Sequence, residues 1–204
     1  MKFLRKINIG LTLTIIAIIA VVVYCINVES GRKSAKEDIK KACDDFTQLT
    51  NKYAMLPTEY QTVGIKSTDV NLNDYYTKMQ SELEQKTISS KTADIQKIIL
   101  SDVVESQLLD TSKITTEFNR QIAKITSYEF SGNQVSVVFN SKVTVKQKYS
   151  DYDQETGEPT EKVKENTYEL QGESMTLEKV DGNWKVVFAD LQYTNLNSSA
   201  NYYM

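Results

Sequence analysis

Residues 7 to 28, INIGLTLTIIAIIAVVVYCINV, form an uncharged, mostly apolar run, and it constrains the architecture more than any other stretch. A helix rises about 1.5 Å per residue, so this run reaches about 33 Å, enough for a hydrocarbon core of about 30 Å. Ile and Val are mediocre helix formers in water. In lipid the backbone must satisfy its own hydrogen bonds, and that requirement dominates. Lys2, Arg5 and Lys6 precede the run, so the positive-inside bias keeps the N-terminus in the cytoplasm and sends the rest outside. The sequence therefore predicts a cytoplasmic segment 1–6, a single-pass anchor 7–28 and an extracytoplasmic body. A cleaved signal peptide fits less well: Val28-Glu29-Ser30 is a poor cleavage site, and the apolar run exceeds a usual signal core. A lipid-modified Cys25 would need a small residue before it, where Tyr24 stands.

Charge and residue types then exclude function classes. The chain carries −3 overall; with three basic residues before the anchor and no charge within it, the body carries −6. A mildly acidic body lacks the electrostatic footprint of a nucleic-acid binder. Histidine is absent from the sequence. That removes Ser-His-Asp and Cys-His nucleophile pairs, and every histidine-ligated metal site. Cys25 and Cys43 lie too far apart for a disulfide if the chain between them is helical, at about 27 Å. Cys43 reads as a buried structural thiol. No metal, cofactor or catalytic motif emerges, and the chain is not read as an enzyme.

After a polar stalk, 29–38, an apolar stripe at Ile39, Ala42, Cys43, Phe46, Leu49 and Tyr53 predicts an amphipathic helix ended by Pro57. Residues 61 to 71 read as irregular. A second helix starts near Asn71 or Asn73, with Leu72, Tyr75, Met79 and Leu83 on one face. A third covers about 92 to 108 through Ile95, Ile98, Ile99 and Val103, and a short helical segment runs from Ser112 to Gln121.

From Ile122 the period changes to two. A strand at 123–130 and a turn at Ser131-Gly132-Asn133 lead into a long strand. In it Val135, Val137, Phe139, Val143, Val145 and Tyr149 share one parity and Lys and Ser fill the other. The next strand, about 162 to 179, slips phase: Tyr168 and Leu170 are even, Met175 and Leu177 odd, with Gly172 between. A β-bulge at 171 to 174 resolves the conflict. Val180-Asp181-Gly182-Asn183 then turns into a last strand lined by Trp184, Val186 and Phe188, followed by a polar tail, 194–204. Between the two long strands, DYDQETGEPTE places five acidic residues, Asp151 to Glu161. A calcium loop needs Gly at its sixth position and Glu at its twelfth. Those positions are Thr156 and Lys162, so the stretch reads as a solvated hairpin tip.

The class is thus α+β: a transmembrane helix, then helices on a curved antiparallel sheet of about four long strands. Helices first, a bulged meander, and the ending LEKVDGNWKVVFADL resemble the nuclear transport factor 2-like (cystatin-like cone) superfamily over roughly 35 to 193, with Met175 to Leu191 the most specific part. That resemblance implies an extracytoplasmic cone over 39–193 that wraps a sheet around helices. The one-anchor topology is similar to bitopic assembly proteins of bacterial type IV secretion and conjugation systems. No residue-level role follows from it.

Two functions are carried forward. The first is a binding or assembly module for a protein partner or for self-association; twelve tyrosines, among them Tyr75, Tyr76, Tyr202 and Tyr203, suit contact surfaces. The second is a small-molecule pocket within the cone, of isomerase or hydratase type. There Asp190, sharing the parity of Trp184, would face an apolar hollow beside Tyr168.

Overall fold

The computed structural model describes residues 9–100, 104, 106–153 and 155–193; within its first helix, side chains are described at 14, 16–23, 31 and from 33 onward. Residues 1–6, expected to be cytoplasmic, the tail 194–204, Val103 and the Cys25 side chain lie outside what is described. The chain divides into two compact units, Met1–Lys40 and Lys41–Met204.

The first unit is helical from Ile9, within α1 (Ile9–Lys52). Residues 31 to 38, read as a stalk, are themselves helical. Ala, Lys and Glu favour that state, and one glycine costs only about 1 kcal/mol. In the apolar run, Ile16, Ile18, Ile19, Val21, Val22 and Val23 are exposed. Among the described residues no helix is long and apolar enough to cross a membrane.

In the second unit α1 ends at Lys52, with Tyr53 and Ala54 turning back onto the carbonyls of Thr50 and Asn51. Buried Thr47 and Thr50 satisfy their hydroxyls on carbonyls one turn back, Cys43 at 2.8 Å and Thr47 at 2.9 Å. Two 3-10 turns, Thr58–Tyr60 and Ser67–Asp69, interrupt an otherwise irregular stretch. α2 (Asn73–Lys86) buries Met79 and Leu83, and the Asn71 carboxamide oxygen accepts the Asn73 N–H at 3.1 Å. Lys52–Glu82 and Lys86–Asp45 ion pairs tie α1 to α2.

α3 (Ser89–Ile99) starts three residues before the expected point and buries Ile95 and Ile99, whereas Ile98 is exposed. A four-residue α4 (Ser106–Leu109) follows. Leu56, Leu72, Val104 and Ile114 make one core cluster, with Tyr60, Tyr75 and Tyr76 against it.

The sheet is a meander of β1 (Lys113–Ser131), β2 (Gln134–Tyr152), β3 (Pro159–Val180) and β4 (Asn183–Asp190), in that order and antiparallel throughout. Two expectations need correcting. The helical segment assigned to Ser112–Gln121 is the start of β1, because its β-branched Ile114, Thr115 and Thr116 pair with β2 instead of coiling. The fourth strand is short: β4 has 8 residues against 22 in β3.

The predicted bulge is present. Phe139 pairs with Glu173 and Ser141 with Leu170, so Asn140 faces two residues, Gln171 and Gly172, with Gly172 at φ 74°. Both turns form as read, with Ser131 opposite Gln134 and Val180 opposite Asn183. Asp181 and Gly182 both take positive φ, the pairing that two-residue hairpins favour. On β2, Val135, Val137, Phe139, Val143 and Val145 are fully buried, each worth about 1.5–3 kcal/mol of transfer free energy.

Candidate functional site

The acidic stretch closes the β2–β3 hairpin. Tyr152 pairs with Pro159, and the Asp153 carboxylate accepts the N–H groups of Glu155 and Thr156 at 2.8 and 2.9 Å. Those two backbone donors hold its pKa below the usual carboxylate range. Asp151 pairs with Lys162, the residue where a calcium loop would need its closing Glu.

The pocket residues read from the sequence do not converge. The rows across the sheet decide this, because paired residues share a face. Asp190 pairs with Ser174, which pairs with Val138, and Asp190 is exposed on the outer face. Tyr168 pairs with buried Val143 on the opposite face, where it is half-buried and burial raises its pKa. Asp190 was expected on the face of Val186, but β4 carries an extra residue: Leu177 pairs with Val186 and Thr176 with Phe188, leaving Val187 over. The parity flips there, so Phe188 is exposed and Asp190 turns outward. Trp184 keeps the face of Val186 and lies 5.7 Å from the Lys179 ammonium, which pairs with it.

The chemistry concentrates elsewhere, in residues the sequence reading passed over. Arg120 on β1 and Glu173 on β3 form an ion pair at 3.3 Å with both side chains fully buried. Ser141 on β2, between them, donates its hydroxyl to the second Glu173 oxygen. The chain leaving β4 runs over this pair: the Gln192 N–H donates to Glu173 Oε1 at 2.9 Å, and the Gln192 carbonyl accepts from Arg120 Nη2 at 2.8 Å. The guanidinium carbon lies 4.4 Å from the Tyr193 ring centroid and 5.5 Å from that of Phe118, so aromatic faces replace water around the cation. Asn51 of α1 accepts the Arg120 N–H at 3.0 Å and donates to its carbonyl at 2.9 Å, closing the open edge of β1 at that point.

Burying two charges costs several kcal/mol per ion, so a network this complete is needed to hold them. It is not fully satisfied. Among the described residues, Arg120 Nε, Arg120 Nη1 and the Tyr193 hydroxyl are buried without a hydrogen-bond partner. A signal for both charges existed in the sequence: Phe118, Arg120 and Ile122 share a parity, as do Glu173, Met175 and Leu177.

Beside the network, Phe46, Thr50, Ile95, Ile99, Leu191 and Tyr193 line a cleft with a free volume of about 10 Å³. That is room for about one water. Cys43 is buried, and burial pushes its thiol up to about 12, so it is a packing residue and not a nucleophile.

No family model matches the sequence, and no curated protein matches it. Among solved structures, the chain is similar to a nuclear transport factor 2 (NTF2-like) superfamily protein from Salmonella enterica subsp. enterica serovar Typhimurium str. LT2. Identity is 9% over 84% of this chain and 99% of that chain, with a TM-score of 0.37. A likeness at that level says nothing about ancestry or chemistry.

Proposed function

We propose that this protein is a membrane-anchored, extracytoplasmic module that works by contact, with a protein partner or with its own copies, in a bacterial envelope or conjugation assembly. Its body is read as a nuclear transport factor 2-like domain without catalytic activity. One observation carries the choice of contact over chemistry: the buried face of the sheet is occupied by the chain itself. Arg120, Ser141 and Glu173 bond to each other and to Gln192. The neighbouring cleft of about 10 Å³ is far below the roughly 300–1,000 Å³ of small-molecule sites. Asp190 and Tyr168 on opposite faces remove the acid–tyrosine pair that an isomerase reading would use.

The anchor and the outward orientation rest on the length of the run 7–28 and on Lys2, Arg5 and Lys6 before it. Protease added to intact cells is expected to digest the body. A protected body would overturn the orientation. Crosslinking in membranes followed by mass spectrometry is expected to recover a reproducible partner or a homo-oligomer, and recovery of monomer alone would overturn the contact reading.

A further inference from the structure

After Asp190 the chain leaves the β3–β4 ladder, and Leu191 to Tyr193 cross the buried face of the sheet toward β1. We propose that the face between Arg120 and Glu173 is a groove for an extended peptide, filled here by the chain's own Leu191–Tyr193, and that the same segment of a second copy can replace it. The proposal rests on the contact reading above and names the partner.

The groove recognises main chain. Glu173 takes the N–H of Gln192 and Arg120 takes its carbonyl, so one peptide unit on either side of that residue is held by two opposite charges. The Gln192 side chain is not part of the grip; it donates to the Gln171 carbonyl at 3.1 Å. Specificity comes from the flanks. Leu191 is 8% exposed and Tyr193 3%, the latter 5.9 Å from Phe118 between ring centroids. The pattern accepted is therefore apolar, any residue, aromatic, which is how grooves read alternate side chains of an extended strand.

Two features make the segment removable. The ladder of β4 ends at Asp190 opposite Ser174, so withdrawing Leu191–Tyr193 breaks no strand pairing. The docked state also leaves Arg120 Nε, Arg120 Nη1 and the Tyr193 hydroxyl unsatisfied. Each such group carries a desolvation cost that water reaching it on opening offsets. The segment lies just after the last strand of the sheet, and exchange of such an identical element between copies is a low-cost route to dimers.

Hydrogen exchange on the full chain in detergent micelles tests this. The Gln192 amide is expected to exchange at least about tenfold faster than the amides of Val143 and Val145, through local opening. Exchange of Gln192 at the same rate as those β2 amides would make the segment permanent core and overturn the proposal. A labelled peptide of residues 188 to 200 is expected to bind saturably to a chain ended after Asp190, and a Leu191→Asp version of the peptide is expected not to bind. Absence of saturable binding in an ended chain whose β2 amides stay protected would also overturn it. If the ended chain unfolds, the exchange rate in the intact chain decides alone. A crosslinked partner found elsewhere on the body would leave the contact reading standing while this groove fails.

Discussion

β1 and β2 are equal in length, 19 residues each, and pair from Lys113 opposite Tyr149 to Ser131 opposite Gln134. Their sequences nevertheless read very differently. β2 keeps one parity for its buried residues from Val135 to Val145. β1 inserts an extra residue three times, at Thr116, Ala123 and Thr126, and its buried side chains change parity accordingly. Both inserted threonines repair the ladder they interrupt: Thr116 donates to the Lys146 carbonyl at 3.2 Å, and Thr126 to that of Val138 at 3.0 Å. β3 and β4 each carry one extra residue as well, at the Gln171–Gly172 bulge and at Val187. Within the sheet, β2 is the regular strand and its neighbours absorb the irregularity. Bulges bend the strand that holds them and increase its twist, so irregular strands flank a regular one where a sheet bends.

This contrast can be broken experimentally, starting where burial is greatest. Phe139→Ala on β2 is expected to cost about 3–5 kcal/mol in chemical denaturation. Phe130→Ala on β1, half-buried, is expected to cost roughly 1 kcal/mol. Equal losses would show that regularity does not mark the core. Glu173→Leu should cost about 3–5 kcal/mol by leaving the Arg120 charge buried alone, and Arg120→Met added to it should restore most of the loss. Failure of that double variant to recover would mean the pair contributes more than its own neutralisation. Gly172→Ala is expected to cost about 1–2 kcal/mol through its left-handed backbone alone. A Cβ there meets nothing within 4 Å, so a larger loss would point to contacts not seen at the bulge.

The smallest effect belongs to the wet face. Lys146 on β2 holds Glu117 of β1 at 2.8 Å, and that hydrogen bond raises the ammonium pKa above its ordinary 10.5. A raised folded pKa favours the fold below 10.5, and the contribution is lost as pH rises through the folded value. The pair is exposed, so Glu117→Gln is expected to leave the melting temperature unchanged at neutral pH while NMR shows the Lys146 pKa falling. A clear drop in melting temperature would give the β1–β2 pairing an electrostatic basis that its exposure does not suggest.

The same contrast explains what could be read in advance. Strict alternation made β2 legible, and the clash between Leu170 and Met175 around Gly172 announced the bulge on β3. Both hairpin turns were carried by Gly beside Asn or Asp, residues that tolerate positive φ. The start of β1 was misread as helix because the extra residue at Thr116 breaks its period near the strand's beginning. Asp190 was misplaced by the same mechanism in the β3–β4 pair, since Val187 carries no glycine to mark the bulge. Arg120 escaped notice because it fell in the stretch read as helix, and Glu173 because charged side chains are almost never fully buried unless paired.

By itself the sequence determined the α+β order of elements, the meander, the turns and the Gly172 bulge, because these depend on local periodicity and on backbone angles few residues adopt. It also held the evidence against histidine chemistry and against a calcium loop, since those need residue types or positions that are absent. The tertiary structure alone decided which charges are buried, which face Asp190 takes and what fills the inner surface. Those outcomes depend on register across strands, and one uncompensated extra residue moves every later side chain to the other face.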